Sequence, residues 1–380
     1  MRICLVYDHL YPQTIGGAER WLRDLAVHLA AGGHDVTYLT MRHWQPGAEP
    51  SLPGVRVLGL VAAGDVYVDT RRTIGPPVRF GLAVARHLLR RGRDYDVVHA
   101  GSFPYFPLLG AALARRRGRY ELEIEWYEVW TRTYWRRYAG TVVGTAGWLV
   151  QRACVRMPHR AYCLAQLTAR RLIAEGYRGE PVVLPGIYGG SRTARNGEGV
   201  DPARVVYAGR HVHEKRLDAL VRGFASARQQ RPDLRLELYG DGPDRQRIRE
   251  IVQELDLSDA IEFAGRRSEQ DIAAAFARAA CVATASEREG YGLIVVEAAA
   301  HGTPSVVVAG PDNAATELVQ ETVNGAIAAD ASAEQVGAAI LRVVDAGPTL
   351  RRSTKRWFAE TADTLRLDRS LDVLLESYAA

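Results

Sequence analysis

Short apolar runs and longer stretches with helical spacing take turns along the first half of this chain. The predicted strands cover residues 3–7, 36–40, 55–60, 97–100 and 122–125, and the predicted helices cover 18–31 and 78–91. Strands that are separated by helices favour a parallel, doubly wound sheet, and such sheets bind ligands at the carboxyl ends of their strands. Loops that directly follow a strand are therefore the first places to search for a site.

The same pattern starts again in the second half, with predicted strands at 205–208, 234–239, 261–265, 282–284 and 304–308. Between the halves, residues 185–204 are rich in glycine and polar residues and lack periodicity, which is typical of a linker. The sequence therefore predicts two α/β domains, residues 1–187 and 188–364. Apolar residues at helical spacing also predict a C-terminal helix at about 365–380.

Residues 286–304 combine acidic residues, glycines and an alanine-rich apolar run, which predicts a loop followed by a helix of about three turns. The glycines allow a ligand to approach the Gly290–Gly292 backbone N–H groups closely, and the positive end of the following helix favours an anion there. Glu289 in the loop and Glu297 in the helix could hold hydroxyl groups on either side of that anion. A sugar nucleotide has this layout, although a plain turn and a solvated helix residue also fit these positions.

Glu289 and Glu297 enclose seven residues, and with G-Y-G, E-A and H-G-T-P the stretch resembles the E-x7-E signature of the retaining glycosyltransferases of family 4. The resemblance implies the GT-B fold, in which two Rossmann-like domains face a central cleft and the C-terminal helix returns to the first domain. It also implies that Glu289 contacts the donor sugar, that the Gly290–Gly292 amides lie near sugar and diphosphate, and that Glu297 holds the ribose.

Arg210 and Lys215 directly follow the first strand of the second half, where one guanidinium and one ammonium group could reach the same diphosphate. Without the family, a surface lysine at the start of a helix also fits position 215. The family has Arg and Lys at this spacing, so the resemblance implies that they clamp the donor diphosphate and stabilise the leaving group. The donor-binding set that it implies is Gly209, Arg210, Lys215, Gly240, Gly242, Arg266, Glu289, Gly290, Tyr291, Gly292, Leu293 and Glu297.

Gly16 and Gly17 at the entrance to the first predicted helix resemble the family's G-G-A-E-R loop and are candidates for an acceptor or phosphate loop, although Gly-Gly also fits a simple turn. The segment is not G-x-G-x-x-G, so it gives no dinucleotide fingerprint. Many family members have His followed by an acid after a later strand, where this chain has Tyr127 and Glu128. Tyr127 and Glu128 join Glu289, Arg210 and Lys215 as catalytic candidates, and His99 joins the acceptor loop.

Aromatic side chains crowd residues 121–135, where they could line an apolar acceptor pocket or pack in the core. Residues 1–187 contain 25 arginines and no lysine against 15 Asp and Glu residues, whereas the second half has a net charge of −5. A basic first half favours a phosphorylated acceptor, a lipid-linked phosphate or an anionic membrane surface. Arginine clusters late in helices also fit solvated faces, and no nucleic-acid partner is predicted.

Composition excludes several other classes of protein. With 47% hydrophobic and 24% charged residues the chain is predicted to be globular, and no apolar run is long enough to cross a membrane. Asp8 ends the first apolar run too early for a signal peptide, so a cytoplasmic protein is expected, with peripheral membrane contact as an option. The four isolated cysteines indicate neither a zinc site nor disulfides, and the D-x-D at Asp94–Asp96 precedes its strand.

The sequence thus predicts a metal-independent, retaining glycosyltransferase without a cofactor, whose donor is a UDP- or GDP-sugar. Its acceptor would be a hydroxyl of a glycan, a glycolipid or a small metabolite. Two alternatives stay open, a catalytically silent subunit that binds nucleotide sugars and a sugar-nucleotide epimerase of the same fold. An oxidoreductase would need a nicotinamide fingerprint after a strand, which the sequence lacks.

Overall fold

The structure, a computed structural model, describes residues 1–14, 16–45, 47–64, 67–68, 71–191 and 199–379. The chain divides into two units: Met1–Leu184 together with the residues from Ser370 onward, and Pro185–Arg369. The break at residue 184 lies a few residues before the boundary that the sequence predicts. The tail from Ser370 belongs to the first unit.

The first unit is built on a seven-stranded parallel sheet with the strand order β3-β2-β1-β6-β7-β8-β9. Its described strands are β1 (Arg2–Val6), β2 (Asp35–Arg42), β3 (Val55–Ala62), β4 (Tyr67–Val68), β5 (Arg71–Arg72), β6 (Val97–Gly101), β7 (Glu121–Trp126), β8 (Arg160–Cys163) and β9 (Val182–Val183). Its helices are α1 (Gly17–Ala31), α2 (Gly75–Arg91), α3 (Tyr105–Gly118), α4 (Arg132–Ala139), α5 (Thr141–Arg156) and α6 (Gln166–Glu175).

The second unit has a six-stranded parallel sheet with the order β12-β11-β10-β13-β15-β17. Its described strands are β10 (Arg204–Ala208), β11 (Arg235–Tyr239), β12 (Ile261–Gly265), β13 (Cys281–Ala283), β14 (Arg288–Glu289), β15 (Ser305–Val308), β16 (Asp312–Asn313) and β17 (Gly325–Ala328). The helices from here on are α7 (Leu217–Gln230), α8 (Arg245–Glu254), α9 (Glu269–Arg278), α10 (Leu293–Ala299), α11 (Ala333–Leu365) and α12 (Leu367–Ala379). The two doubly wound sheets that the sequence predicts are confirmed.

Buried apolar strands explain why both sheets are parallel and covered on both faces. All five residues of β6 are buried, and so are all four residues of β15. Helix α1 places Trp21, Leu22 and Leu25 at helical spacing against the sheet, each no more than 1% exposed. The helix α10 has seven residues, about two turns, so the three-turn prediction was too long.

The aromatic segment at residues 121–135 packs in the core of the first unit. Trp126, Trp130, Tyr134 and Trp135 are each at most 8% exposed and belong to one hydrophobic cluster. The buried amide of Gln151 satisfies the polar atoms among them: its Oε1 accepts hydrogen bonds from the Trp130 N–H and the Trp135 Nε1–H. Of the two interpretations, core packing is therefore the one that the structure supports.

The chain passes between the two units twice, near residue 184 and near residue 369, and hydrogen bonds within the second unit join the two segments. The Tyr188 N–H donates to the Leu365 carbonyl oxygen at 3.1 Å, and the Leu367 N–H donates to the Tyr188 carbonyl oxygen at 3.0 Å. The predicted linker, residues 185–204, is thus partly ordered by hydrogen bonds, and its residues 192–198 lie outside the described part of the chain. Helix α12 packs on the first unit, where the Tyr162 hydroxyl donates to Ser377 Oγ at 2.6 Å.

Candidate functional site

The loops after β10 and β11 pack backbone against backbone at the carboxyl edge of the second sheet. Gly240 has a φ of +115°, and a Cβ there would collide with the Gly209 carbonyl oxygen. A Cβ at Gly242 would collide with the His211 carbonyl oxygen, while the His211 N–H donates to the Asp241 carbonyl oxygen at 2.9 Å. The glycines that the sequence assigned to ligand approach are therefore required for packing the two loops together.

Arg210 extends from this packed edge as an exposed side chain, and its carbonyl oxygen accepts a hydrogen bond from the Tyr207 hydroxyl at 2.9 Å. Burial raises the pKa of Tyr207, the negative charge of Glu289 adds to the shift, and the positive charge of Arg210 opposes it. Both charged groups thus act on the same end of β10. Exposed Arg266 follows β12 and lies near Asp241, whose carboxyl pKa is held low first by the Gly242 N–H and then by Arg245 and Arg266.

Lys215 and Glu289, 74 positions apart in the chain, form an ion pair in which Lys215 Nζ lies 2.5 Å from Glu289 Oε1. Lys215 ends the 3-10 turn His213–Lys215 that follows β10, and its side chain is 22% exposed against 15% for Glu289. The neighbouring residues also pair, since Arg288 Nη2 lies 3.7 Å from Glu214 Oε1. The turn after β10 and the loop before α10 are therefore joined by two consecutive ion pairs.

Asn313 holds the loop before α10 in place, a role that the sequence prediction missed. Its side chain is 1% exposed, and its Nδ2 donates to the carbonyl oxygens of Ser286 at 3.0 Å and Val308 at 2.9 Å. Its Oδ1 accepts from the Ala315 N–H at 3.1 Å. The signal in the sequence was an amide residue placed just after a buried strand, β15, at the carboxyl edge of a parallel sheet.

Gly292 begins α10 in the left-handed conformation, with a φ of +98°, and a Cβ there would lie 2.5 Å from the Cβ of Ala315. Tyr291 is 7% exposed, and burial raises the pKa of its hydroxyl. Leu293 is the first residue of α10, and half-buried Glu297 lies about one turn further along. The structure thus brings Glu289, Gly290 and the start of α10 together as a loop and a helix entrance, and their ligand roles stay predictions.

The loop at Gly16 and Gly17 in the first unit already faces a negative charge. The carboxylate of Glu19, in the first turn of α1, folds back so closely over Gly16 that a Cβ at Gly16 would collide with it. Around Gly17, by contrast, a Cβ would meet no atom within 4 Å. A phosphate at Gly16 would have to displace Glu19, because two anions repel each other there.

Tyr127 and Glu128, two catalytic candidates, follow β7 at the carboxyl edge of the first sheet. The Tyr127 hydroxyl is buried without a hydrogen-bond partner among residues that the structure describes, and burial raises its pKa well above the usual value. Tyr127 is thus a neutral phenol that could donate a hydrogen bond but not accept a proton as a base. Glu128 Oε2 accepts a hydrogen bond from Trp130 Nε1 at 2.8 Å.

His99 lies inside the first unit, which corrects its predicted place on a ligand loop. Its side chain is fully buried in β6, and its Nδ1 lies 2.5 Å from the Tyr378 hydroxyl of α12. The ring stacks on Tyr162 at 5.7 Å, and Nε2 lies 3.5 Å from Glu125 Oε2. The reason is that β6 is a central strand whose side chains are all covered, so a histidine within it meets core residues and not solvent.

Asp8, His9 and His43 form a polar cluster at the carboxyl ends of β1 and β2 that the sequence prediction missed. Asp8 is fully buried, and its Oδ1 lies 2.8 Å from His9 Nδ1. His43 Nε2 lies 3.0 Å from the Asp8 carbonyl oxygen, and the two imidazole rings are 5.0 Å apart. Burial is the main cause that lowers the pKa of His43. An imidazole held by a carboxylate can position a hydroxyl group or accept its proton.

Two family models match neighbouring stretches of the chain, one in each unit. Residues 16–186 match the model described as glycosyl transferase 4-like domain, and residues 192–357 match the model described as glycosyl transferases group 1. Together they span most of both units. The chain belongs to the group 1 glycosyltransferases. The resemblance at Glu289–Glu297 is thereby confirmed at the level of the family.

Similar proteins include other glycosyltransferases. A glycogen synthase of Mycobacterium tuberculosis is 26% identical over 80% of this chain and 77% of its own length. An MMP alpha-(1->4)-mannosyltransferase of Mycolicibacterium hassiacum is also 26% identical, over 93% of this chain and 91% of its own. The crystal structure of Anabaena Alr3699/HepE in complex with UDP has a TM-score of 0.73 at 18% identity, covering all of both chains, and so shares the fold.

Three further features of this glycosyltransferase are its cysteines, its D-x-D motif and its helices. Cys4, Cys154, Cys163 and Cys281 are all buried free thiols. The Asp94–Asp96 motif lies at the amino edge of β6, where Arg91 pairs with Asp94 and Arg2 with Asp96. Within the described ranges, no group of three His, Cys, Asp or Glu residues is arranged to hold a metal ion, and none of the helices is long and apolar enough to cross a membrane.

Proposed function

We propose that this glycosyltransferase moves a sugar from a UDP- or GDP-sugar to an acceptor hydroxyl with retention of the anomeric configuration. The observation that carries the proposal is the 2.5 Å pair between Lys215 Nζ and Glu289 Oε1. It puts a cation suited to a diphosphate beside a carboxylate suited to sugar hydroxyls, at the carboxyl edge of the donor unit. Partly buried charges of this kind interact more strongly with a ligand than exposed ones.

The chemistry follows from charge that develops on the leaving group. The bond between the anomeric carbon and the phosphate oxygen breaks, and the diphosphate keeps the electron pair. Lys215, Arg210 and the Gly290–Gly292 amides stabilise that charge, while Glu289 holds the sugar and Glu297 the ribose. The acceptor oxygen attacks the same face of the sugar, and its proton passes to the departing phosphate oxygen. These cationic groups make a metal unnecessary in this proposal.

The relatives support a nucleotide-sugar donor. Two of them carry names of sugar-transferring enzymes, glycogen synthase and mannosyltransferase, and cover most of the chain. The related HepE structure was solved with UDP. A catalytically silent subunit could use Lys215, Arg210 and Glu289 for binding alone, so it is the names of the relatives that favour transfer.

On the acceptor side, we assign the binding of the acceptor hydroxyl to the carboxyl edge of the first sheet. His9, held by the buried Asp8 carboxylate, positions the hydroxyl, and the neutral Tyr127 phenol donates a hydrogen bond to the acceptor. The acceptor classes that fit are a glycan, a glycolipid or a small metabolite. We further propose that the enzyme works in the cytoplasm, at the inner face of an anionic membrane, because the first half has a net charge of +10.

A thermal-shift panel without added metal tests the donor proposal. The ligands are UDP, GDP, TDP, ADP and NAD, each with and without a chelator, and the proteins are the wild type, Glu297→Ala and Lys355→Met. Lys355→Met, which changes the other lysine of the chain, controls for a substitution elsewhere in the second unit. A ligand at about 100 times its dissociation constant adds roughly 2.7 kcal/mol to the stability, which is enough to raise the melting midpoint.

We expect one of UDP and GDP to raise the midpoint in the wild type and in Lys355→Met, and to do so less in Glu297→Ala. The chelator should leave the shift unchanged. A shift with NAD alone would exclude the donor class, and a shift that needs added divalent metal would exclude the metal-independent mechanism. Transfer assays with nucleotide sugars that contain this base then identify the sugar that is transferred.

A further inference from the structure

Helix α5 in the first unit presents an apolar stripe to solvent. Val142, Ala146, Leu149 and Ala153 follow one another at the spacing of one helix face and are all exposed, Val142 at 82% and Leu149 at 54%. Val143, at the edge of the stripe, is 54% exposed. An ordinary surface helix shows its polar residues to solvent, so the outward face of α5 is unusual.

The opposite face of α5 explains why this apolar stripe stays outside. Gly144 and Gly147 lie against Trp135 of α4 so closely that a Cβ at Gly147 would come within 2.6 Å of the indole ring. The next inward residue is Gln151, whose side-chain amide oxygen accepts hydrogen bonds from Trp130 and Trp135 in the core. Small and polar residues thus hold the inner face, and α5 cannot turn its valines and leucine inward without breaking these contacts.

The surroundings of the stripe are basic. Residues 129–174 contain eight arginines and no Asp or Glu, and the acid that follows them, Glu175, accepts hydrogen bonds from Trp148 Nε1 of α5. Arg132, Arg136 and Arg137 are exposed on α4, the helix directly before α5. The guanidinium groups of Arg132 and Arg152 lie 5.3 and 5.1 Å from the ring centre of Trp148 on α5. Some arginines of the segment bind elsewhere, for example Arg171 to the Val129 carbonyl oxygen, so the charge at the stripe comes mainly from α4.

We infer that the α4–α5 surface, defined by Val142, Val143, Leu149, Arg132, Arg136 and Arg137, docks the enzyme on an anionic lipid bilayer. Valine and leucine side chains enter the boundary between headgroups and acyl chains, and the arginines pair with lipid phosphates. A protein partner with an acidic face would satisfy the arginines, but the apolar stripe beside them on α5 matches the layered chemistry of a bilayer. This inference does not depend on the donor or on the chemistry at Lys215.

Vesicle co-sedimentation of the full-length protein tests the surface. The vesicles are neutral phosphatidylcholine, alone or mixed with phosphatidylglycerol, at low and high salt. One variant replaces the apolar residues (Val142→Ser, Val143→Ser, Leu149→Ser), and another replaces the arginines (Arg132→Gln, Arg136→Gln, Arg137→Gln). Matched controls change exposed residues on other helices of the same unit, Leu82→Ser with Leu113→Ser, and Arg90→Gln with Arg116→Gln and Arg117→Gln.

We expect the wild type to bind the anionic vesicles and to be released by salt. The arginine variant should lose about a hundredfold in partition coefficient, from three charges near an anionic surface, and the apolar variant should also lose binding while both controls keep it. Equal binding of the wild type to neutral and anionic vesicles would overturn the inference, as would equal losses in the controls. Loss of a dimer in the apolar variant without vesicles would assign the stripe to a second copy of the chain instead.

The nucleotide shift of the same variants separates this inference from the proposed function. Both α4–α5 variants should retain the wild-type response to the nucleoside diphosphate, because neither changes the second unit. Vesicle binding without any nucleotide shift would support the docking surface and reject the donor proposal. A nucleotide shift without vesicle binding would support the donor proposal and reject the docking surface.

Discussion

Replacing Lys215 with methionine tests the donor site most directly. The change keeps most of the aliphatic stem and removes the ammonium group that lies 2.5 Å from Glu289 Oε1. Glu289 is only 15% exposed, so water compensates little for the lost partner. A hydrogen bond to a charged group contributes about 2 kcal/mol, and a unit of this size loses about 2–4 °C per kcal/mol. The midpoint of the unliganded protein should therefore fall by roughly 4–8 °C.

The ligand response separates a binding role of Lys215 from a structural one. If the lysine binds the diphosphate, Lys215→Met should weaken nucleoside diphosphate binding by about thirtyfold, the equivalent of about 2 kcal/mol. Glu289→Gln should behave differently, since the proposed ligand of Glu289 is the sugar. It should bind the free nucleoside diphosphate at least as tightly as the wild type, because Lys215 is released and a negative charge near the phosphates is gone. It should bind the nucleotide sugar more weakly.

Isothermal titration of the two single variants and the double variant with diphosphate and with nucleotide sugar makes this comparison. Urea denaturation without ligand gives a second comparison. The loss of unfolding free energy in the double variant should be about 1–2 kcal/mol smaller than the sum of the losses in the two single variants, because both partners of one pair are removed. Unchanged diphosphate affinity in Lys215→Met, together with a lowered midpoint, would refute the reasoning. Lys215 would then be a structural partner of Glu289 and not part of the diphosphate site.

Three further predictions concern stability. Burial lowers the pKa of His159 to about 4, and its Nε2 accepts a hydrogen bond from Trp126 Nε1 at 3.1 Å. The unfolded chain therefore binds more protons than the folded one below about pH 6.5. Acidification to about pH 5 should lower the unfolding free energy, measured by chemical denaturation, by about 2 kcal/mol in the wild type but not in His159→Gln. Gly240→Ala should lower the unfolding free energy by about 3 kcal/mol, measured by urea titration. Asn313→Ala should cost about 3 kcal/mol and raise the KM for the donor, measured by steady-state kinetics.

Matched changes check these three expectations. Gly75→Ala, at a position where a Cβ meets no atom within 4 Å, should leave the stability unchanged, and an equal loss there would contradict the collision argument for Gly240. Asn313→Asp keeps the acceptor for the Ala315 N–H but places a buried carboxylate oxygen against the carbonyl oxygens of Ser286 and Val308, so its cost should exceed that of Asn313→Ala. If His159→Gln shows the wild-type pH dependence, another group is responsible for it.

The sequence predicted most of the second unit because its important residues follow strands that are easy to recognise. Arg210 and Lys215 follow β10, and Glu289 precedes α10, so local pattern and family resemblance place them at one edge. The 2.5 Å contact between Lys215 and Glu289 could not be predicted, since it depends on how two loops from distant parts of the chain fold onto each other. The same is true of Gly240, whose requirement for glycine comes from the Gly209 carbonyl oxygen and not from a ligand.

The first unit was harder to predict because its polar residues are distributed between edge and core in a way that residue type does not reveal. His99 and His9 are both histidines at or just after central strands, yet His99 is covered by Tyr378 and Tyr162 while His9 lies beyond the strand end on Asp8. The α12 helix that covers His99 comes from the far end of the chain, so local sequence gives no sign of it.

These differences indicate where the two units of such an enzyme are constrained. In the second unit, the loops at the proposed donor site are fixed by close backbone contact between Gly240 and Gly209 and by the ion pairs of Lys215 with Glu289 and of Arg288 with Glu214. In the first unit, the residues proposed to meet the acceptor are held mainly by side-chain contacts: His9 by Asp8 and the His43 ring, and Tyr127 by the Tyr7 ring at 5.9 Å. We therefore expect the proposed acceptor edge to tolerate a change of residue type, such as a tyrosine at position 127 where the family resemblance implies a histidine, better than the proposed donor edge does.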